Sequence, residues 1–151
     1  MNLLAPVSTI MSKDLITISP IDPIKKVEDL FDLHPIHHLP VEEEGKFKGM
    51  VSKSDYLHFK RGFNEIDIEN KWDLFRLKSH KVEEIMTTKI ARMTSREKIN
   101  VAIEIFKENL FHAIPIVEKD RLVGIVTTLD IIRHLSEDRE IFKSYNTPKW
   151  L

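Results

Sequence analysis

Cysteine is absent from the 151 residues, which excludes disulfides, thiolate nucleophiles and cysteine-ligated metals and fits a reducing cytoplasm. Apolar runs are short, and none approaches the roughly 18 residues of a membrane span. The start, MNLLAPVSTIM, has neither a basic stretch nor a long apolar one, so no signal peptide is expected. Charge of one sign is missing too: the formal net charge is −1, with no basic helix or arm to grip nucleic acid. No Ser-His-Asp arrangement, phosphate loop or dinucleotide-binding glycine pattern occurs. The acids Glu42, Glu43 and Glu44 read as a solvated turn. These absences predict a soluble, cytoplasmic chain with no catalytic residues and no nucleic acid or membrane partner.

What is present is a duplication. Residues 7–57 recur as 82–132 at a constant offset of 75, without a gap. Val7 meets Val82, Ile10 meets Ile85, Met11 meets Met86, Ile24 meets Ile99 and Phe31 meets Phe106. His37 meets His112, Pro40 meets Pro115, Glu43 meets Glu118, Gly49 meets Gly124, Val51 meets Val126 and Asp55 meets Asp130. Conservative pairs such as Leu39 with Ile114 fill the gaps, so apolar positions match throughout and glycine stays in register.

Each half predicts the same order of elements, β-α-β-β-α. A short apolar run (15–18; 90–93) leads into a turn. A helical pattern follows, with Ile24, Val27, Leu30 and Phe31, or Ile99, Ala102, Ile103 and Phe106, on one face. Pro35 prevents His34 from continuing the first of these helices. Two strands joined by a polar turn come next (38–41 and 47–51; 113–117 and 122–126), then a helix opened by Ser52 or Thr127. A half of about 50 residues buries too little to stand alone comfortably, so the two are expected to share a core. Between them, Ile68, Trp72 and Phe75 fall at i, i+4 and i+7, predicting a linker helix laid across the module. The expected division is repeat one at 5–60, linker at 61–79, repeat two at 80–136 and a polar tail at 137–151. Unmatched apolar residues such as Phe59, Phe63, Phe142, Tyr145 and Trp150 are candidates for a contact between copies, or for local core.

The segments richest in chemistry are Gly49-Met50-Val51-Ser52-Lys53-Ser54-Asp55 and Gly124-Ile125-Val126-Thr127-Thr128-Leu129-Asp130. Each delivers a hydroxyl to the first turn of a helix, where unpaired N–H groups and the helix dipole favour an anion. A carboxylate three residues later can accept hydrogen bonds from a ribose diol. The same Ser/Thr-x-x-Asp spacing also makes a capping box, which needs no ligand. Nearby basic residues, Lys53, His58, Arg92, Arg133 and His134, could neutralise a phosphate.

The duplicated unit, the Ile-Met before its first strand, the Pro-Val or Pro-Ile strand and the Gly-x-Val-[Ser/Thr]-x-x-Asp ending resemble cystathionine β-synthase (CBS) domains. Two in tandem resemble a Bateman module. The resemblance implies an α/β (α+β) fold, two repeats packed by pseudo-twofold symmetry into one module, and a regulatory role without catalysis. It implies clefts between the repeats for adenosine-containing ligands such as AMP, ADP, ATP or S-adenosylmethionine, with no required cofactor. One cleft would combine Met50, Ser52, Ser54 and Asp55 with Phe111, His112 and Ala113. The other would combine Ile125, Thr127 and Asp130 with Ile36, His37 and His38. In both, the acid takes the ribose, the hydroxyl approaches phosphate, and residues of the other repeat meet the base. Leu129 replaces the serine before Asp130, so the Asp55 side is expected to be the better phosphate site. The family also implies a homodimer and a regulated partner protein, whose identity the sequence does not carry.

Two other readings compete. His34, His37 and His38 cluster in sequence, but Pro35 breaks a helix there and adjacent strand residues point to opposite faces, so no metal site is expected. The stronger competitor is a scaffold: a CBS pair that oligomerises or docks on a partner without any small ligand.

Overall fold

The structure is a computed structural model and describes residues 2–61, 71–108 and 112–136. Five helices and four strands are found there: α1 (Ile24–Leu33), β1 (His38–Glu43), β2 (Lys46–Ser52), α2 (Lys53–Arg61), α3 (Lys71–Ser79), α4 (Ile99–Glu108), β3 (Ala113–Glu118), β4 (Arg121–Thr127) and α5 (Thr128–Ser136). A single 3-10 turn precedes each set, Val7–Thr9 and Val82–Glu84. The fold is α+β, and the two sets repeat at the offset read from the sequence.

The helices bury the predicted faces. Ile24, Val27 and Phe31 of α1 are buried, as are Ile99 and Ala102 of α4. α1 stops at Leu33 and His34 turns extended at ψ 140°, as the following Pro35 demands. β1 and β2 pair antiparallel, with Leu39 opposite Val51 and Val41 opposite Gly49. The two-residue turns take left-handed backbone at both positions, Glu44 (φ 52°) with Gly45 (φ 76°) and Lys119 (φ 49°) with Asp120 (φ 67°). Such turns match the twist of a hairpin. The expected first strand of each repeat is reduced to one parallel bridge. Ile18 N–H donates to Pro40 O and Ile18 O accepts from Glu42 N–H; Met93 bonds Pro115 and Val117 in the same way.

The apolar residues form two cores, where one shared core was expected. One unit consists of residues 15–61, 71–90 and 119–122; the other consists of 2–14, 91–108, 112–118 and 123–136. The opening segment of each repeat therefore belongs to the unit built on the other repeat. Val82 donates its N–H to Asp22 O, and its side chain is fully buried with Ile24, Val27 and Leu39. Val7, its counterpart, donates to Glu97 O and is fully buried with Ile99, Ile114 and Val126. Each valine, fully buried, contributes about 2 kcal/mol by area. A repeat cut out at its sequence boundaries would lack this piece of its core.

The linker reading needs correction. α3 is a helix, but its buried residue is Leu77; Trp72 and Phe75 are exposed and meet edge-to-face with centroids 6.4 Å apart. The apolar spacing pointed to the wrong face because an exposed aromatic pair mimics a buried stripe. Ile68, Phe63, Phe142, Tyr145 and Trp150 lie outside the described residues. Among the described residues no helix is long and apolar enough to cross a membrane.

Candidate functional site

Both hydroxyl–acid motifs sit where a strand runs directly into a helix: Ser52 closes β2 and Thr127 closes β4. Ser52 N–H and Oγ–H both donate to Asp55 Oδ2, at 2.8 and 2.6 Å, and Asp55 N–H donates back to Ser52 Oγ at 3.1 Å. Thr127 and Asp130 repeat the pattern at 2.7, 2.6 and 3.2 Å. Each motif is thus a complete capping box, satisfying the orphan donors at the start of its helix. Every one of these bonds falls on Oδ2. Oδ1 of Asp55 and of Asp130 accepts no hydrogen bond from the described residues, and both acids are only half-buried. The capping role and a carboxylate oxygen outside the capping network coexist in one side chain.

The histidine before each β1-type strand lies against its own motif through the backbone. His37 O accepts from Lys53 N–H at 2.9 Å, and His112 O accepts from Thr128 N–H at 3.1 Å. Both histidine side chains are exposed, and Ile36 and His38 are half-buried. Ala113 is buried, and Phe111 lies outside the described residues. Met50 and Ile125 are buried as well, at 3% and 8% exposure, so as they stand their side chains serve the core. Ser54 is exposed, while Ser52 and Thr127 are half-buried.

Sequence reasoning missed what lies against the motif strands. Met50 exchanges two backbone hydrogen bonds with Thr87, at 3.0 and 2.8 Å, and Ile125 does so with Ser12, at 2.9 and 3.0 Å. These bonds explain the glycine one residue upstream. A Cβ on Gly49 would fall 2.7 Å from Thr87 O, and one on Gly124 would fall 2.7 Å from Met11 Sδ. The repeated Ile-Met-Ser/Thr and the repeated glycine are one device, since close backbone approach demands a residue without Cβ. Identity of Met11 with Met86 and of Gly49 with Gly124 was the available signal. Of the basic residues near the motifs, His58 and Arg133 are exposed and Lys53 and His134 half-buried.

The family model for the CBS domain matches residues 7–62 and 82–137. Inosine-5′-monophosphate dehydrogenase from Thermoplasma acidophilum is 30% identical over 125 residues, a match covering 82% of this chain and 22% of the enzyme. Across the first three curated relatives, the chain spans between 22% and 45% of their length. Among solved structures, the CBS domain pair of protein MJ0100 in complex with 5′-methylthioadenosine and S-adenosyl-L-methionine is 30% identical. It has a TM-score of 0.68 and covers 88% of this chain and 97% of its own. The AMP complex of CBSX2 shares the fold at a TM-score of 0.74 and 19% identity, covering 89% and 98%.

Proposed function

Since the chain belongs to the CBS domain family, we propose that it is a regulatory module that binds an adenosine-containing ligand and passes the signal to a partner protein. Asp55 and Asp130 take the ribose, and Ser52, Ser54 and Thr127 approach phosphate. The groups around 111–113 and 36–38 meet the base. In this reading the functional repeats are 5–60 and 80–136, the module works as a cytoplasmic homodimer, and it carries out no catalysis of its own. The observation that carries the proposal is the twin motif: two hydroxyl–acid pairs at strand–helix junctions, each acid with Oδ1 outside the capping network. A relative of 30% identity is described in complex with 5′-methylthioadenosine, a thioether, and S-adenosyl-L-methionine, a sulfonium, which supports adenosine as the shared part of the ligand.

Signalling requires the ligand to favour one of two states of the module. Thermal shift and calorimetry with AMP, ADP, ATP, S-adenosylmethionine, NAD and cyclic dinucleotides test the binding step. A ligand that binds the native chain raises its melting temperature by mass action, and Asp55→Ala together with Asp130→Ala removes the rise. One observation favours a second reading, the scaffold: both capping boxes are complete without any ligand. If no adenosine compound shifts the melt, the scaffold reading replaces the sensor.

A further inference from the structure

The two motifs share a backbone and differ in the chemistry they present. Their three capping bonds agree within 0.1 Å, so the caps match and the contrast lies in the side chains around them. The junction into α2 carries Ser52, Lys53 and Ser54 before its acid; the equivalent junction into α5 carries Thr127, Thr128 and Leu129. Lys53 is unusual in this chain. Only two described lysines are half-buried, Lys25 and Lys53. Lys25 is paired with Glu28 and Asp29, whereas Lys53 has no carboxylate partner among the described residues. A half-buried lysine without an ion-pair partner, at the start of a helix, is suited to an incoming anion. On α5 the same helical position holds neutral Thr128, and the next holds Leu129, a leucine left 50% exposed immediately before the acid. An exposed apolar side chain there gains by covering an apolar group and gives nothing to a phosphate.

Resting on the adenosine-binding reading above, we propose that the two motifs divide their ligands by the 5′ substituent. The Asp55 motif takes adenosine bearing a 5′ phosphate, with Lys53 and Ser54 as the discriminating residues. The Asp130 motif narrows that reading: it takes adenosine whose 5′ substituent is uncharged and apolar, such as a thioether, with Leu129 as the discriminating residue. Thr127 is there left to its capping role in place of a phosphate contact. Arg133 lies one helical turn beyond Asp130 and is exposed, whereas the three residues that precede the acid are neutral.

The test is calorimetry of the full chain with AMP and with 5′-methylthioadenosine, on wild type, Lys53→Ala, Ser54→Leu and Leu129→Ser. Ser54 and Leu129 are exposed, so their exchanges leave the core intact, and unchanged melting curves check this. Lys53→Ala and Ser54→Leu are each expected to weaken AMP about tenfold, the scale of one charge-assisted hydrogen bond. Leu129→Ser is expected to weaken 5′-methylthioadenosine and to add a second AMP-binding event. If AMP fills two equal sites in wild type, or these exchanges leave both affinities unchanged, the division of ligands is overturned while adenosine binding stands. If wild type binds neither probe nor any other adenosine compound, the adenosine reading falls and the division falls with it.

Discussion

The same helix–helix contact is built from opposite materials in the two repeats. In the first, α1 and α2 are clipped by Glu28, Tyr56 and Lys60. Tyr56 O–H donates to Glu28 Oε1 at 2.5 Å, Lys60 Nζ donates to the same oxygen at 2.8 Å, and the ammonium stands 5.7 Å from the Tyr56 ring centre. In the second, the positions 75 residues on are Ile103, Ile131 and Leu135, which join one apolar cluster. Tyr56 and Ile131 are equally buried, at 5% and 7% exposure. The fold therefore asks this contact for volume and not for polarity, since a satisfied polar network and an apolar one of similar size can be nearly equivalent. What the polar version adds is dependence on geometry and on pH.

The largest expected difference between the halves lies elsewhere, at the paired glycines. Gly49→Ala puts its Cβ 2.7 Å from Thr87 O, a backbone atom tied to Met50. Only displacement of the docked segment relieves it, so a loss of about 3 kcal/mol is expected. Gly124→Ala meets Met11 Sδ at 2.7 Å, the movable end of a flexible side chain, and should cost about 1 kcal/mol. Urea denaturation of both variants gives the order directly; equal losses would mean that Ser12 is as rigid an obstacle as Thr87.

Next comes the clip. Burial alone would raise the pKa of Glu28, but hydrogen bonds from Lys60 and Tyr56, with the Lys60 charge, lower it to about 2. Burial and the Glu28 hydrogen bond push Tyr56 up to about 12, so it stays a donor. Because the folded value of Glu28 lies below its ordinary 4.5, its contribution is present above pH 4.5 and is lost as pH falls toward 2. Glu28→Gln should cost about 1 kcal/mol at neutral pH, since the site is partly open to solvent, and the difference from wild type should shrink through that acid window. Stability curves from pH 7 to 2 check the sign. The second repeat has no counterpart, so hydrogen exchange around α4 and α5 should lack this acid-dependent step.

How much of this was legible in the sequence follows from what each residue depends on. The α1 face, the end of that helix at His34, both hairpins and the helix starts at Ser52 and Thr127 rest on local periodicity and turn chemistry, and all could be read. The exchange of Val7 and Val82 between the cores could not, because a repeat boundary says nothing about which copy a segment packs on. Trp72 and Phe75 misled for a related reason: helical spacing reports a shared face, not whether anything covers it. The motifs were legible as hydroxyl–acid pairs. The carboxylate oxygen on which their capping bonds converge depended on three-dimensional geometry, as did the half-buried, unpaired state of Lys53.

The capping boxes should behave as equals where the clips do not. Ser52→Ala and Thr127→Ala each remove the hydroxyl that accepts from the acid's N–H, and each should cost about 1 kcal/mol. Chemical denaturation showing one loss well above the other would reveal tertiary support at that box beyond capping.

The smallest effect expected is at the hairpin tips, where the second repeat uses a less suitable residue than the first. Gly45 and Asp120 occupy equivalent turn positions with φ of 76° and 67°. Left-handed backbone costs an L-residue about 1 kcal/mol, least for Asn and Asp, while glycine loses about 0.5–1 kcal/mol more chain entropy on folding. The two terms nearly cancel, and the geometry tips the balance toward glycine, the residue type preferred at the second position of such a turn. Asp120 contributes its carbonyl to Phe47 N–H at 2.9 Å, a bond that glycine retains. Asp120→Gly is therefore expected to stabilise the chain by about 0.5 kcal/mol and Gly45→Asp to destabilise it by a similar amount. Urea midpoints measured with an unchanged slope would register both. Destabilisation by Asp120→Gly would mean that the aspartate side chain supports its turn through a local contact that outweighs the strain.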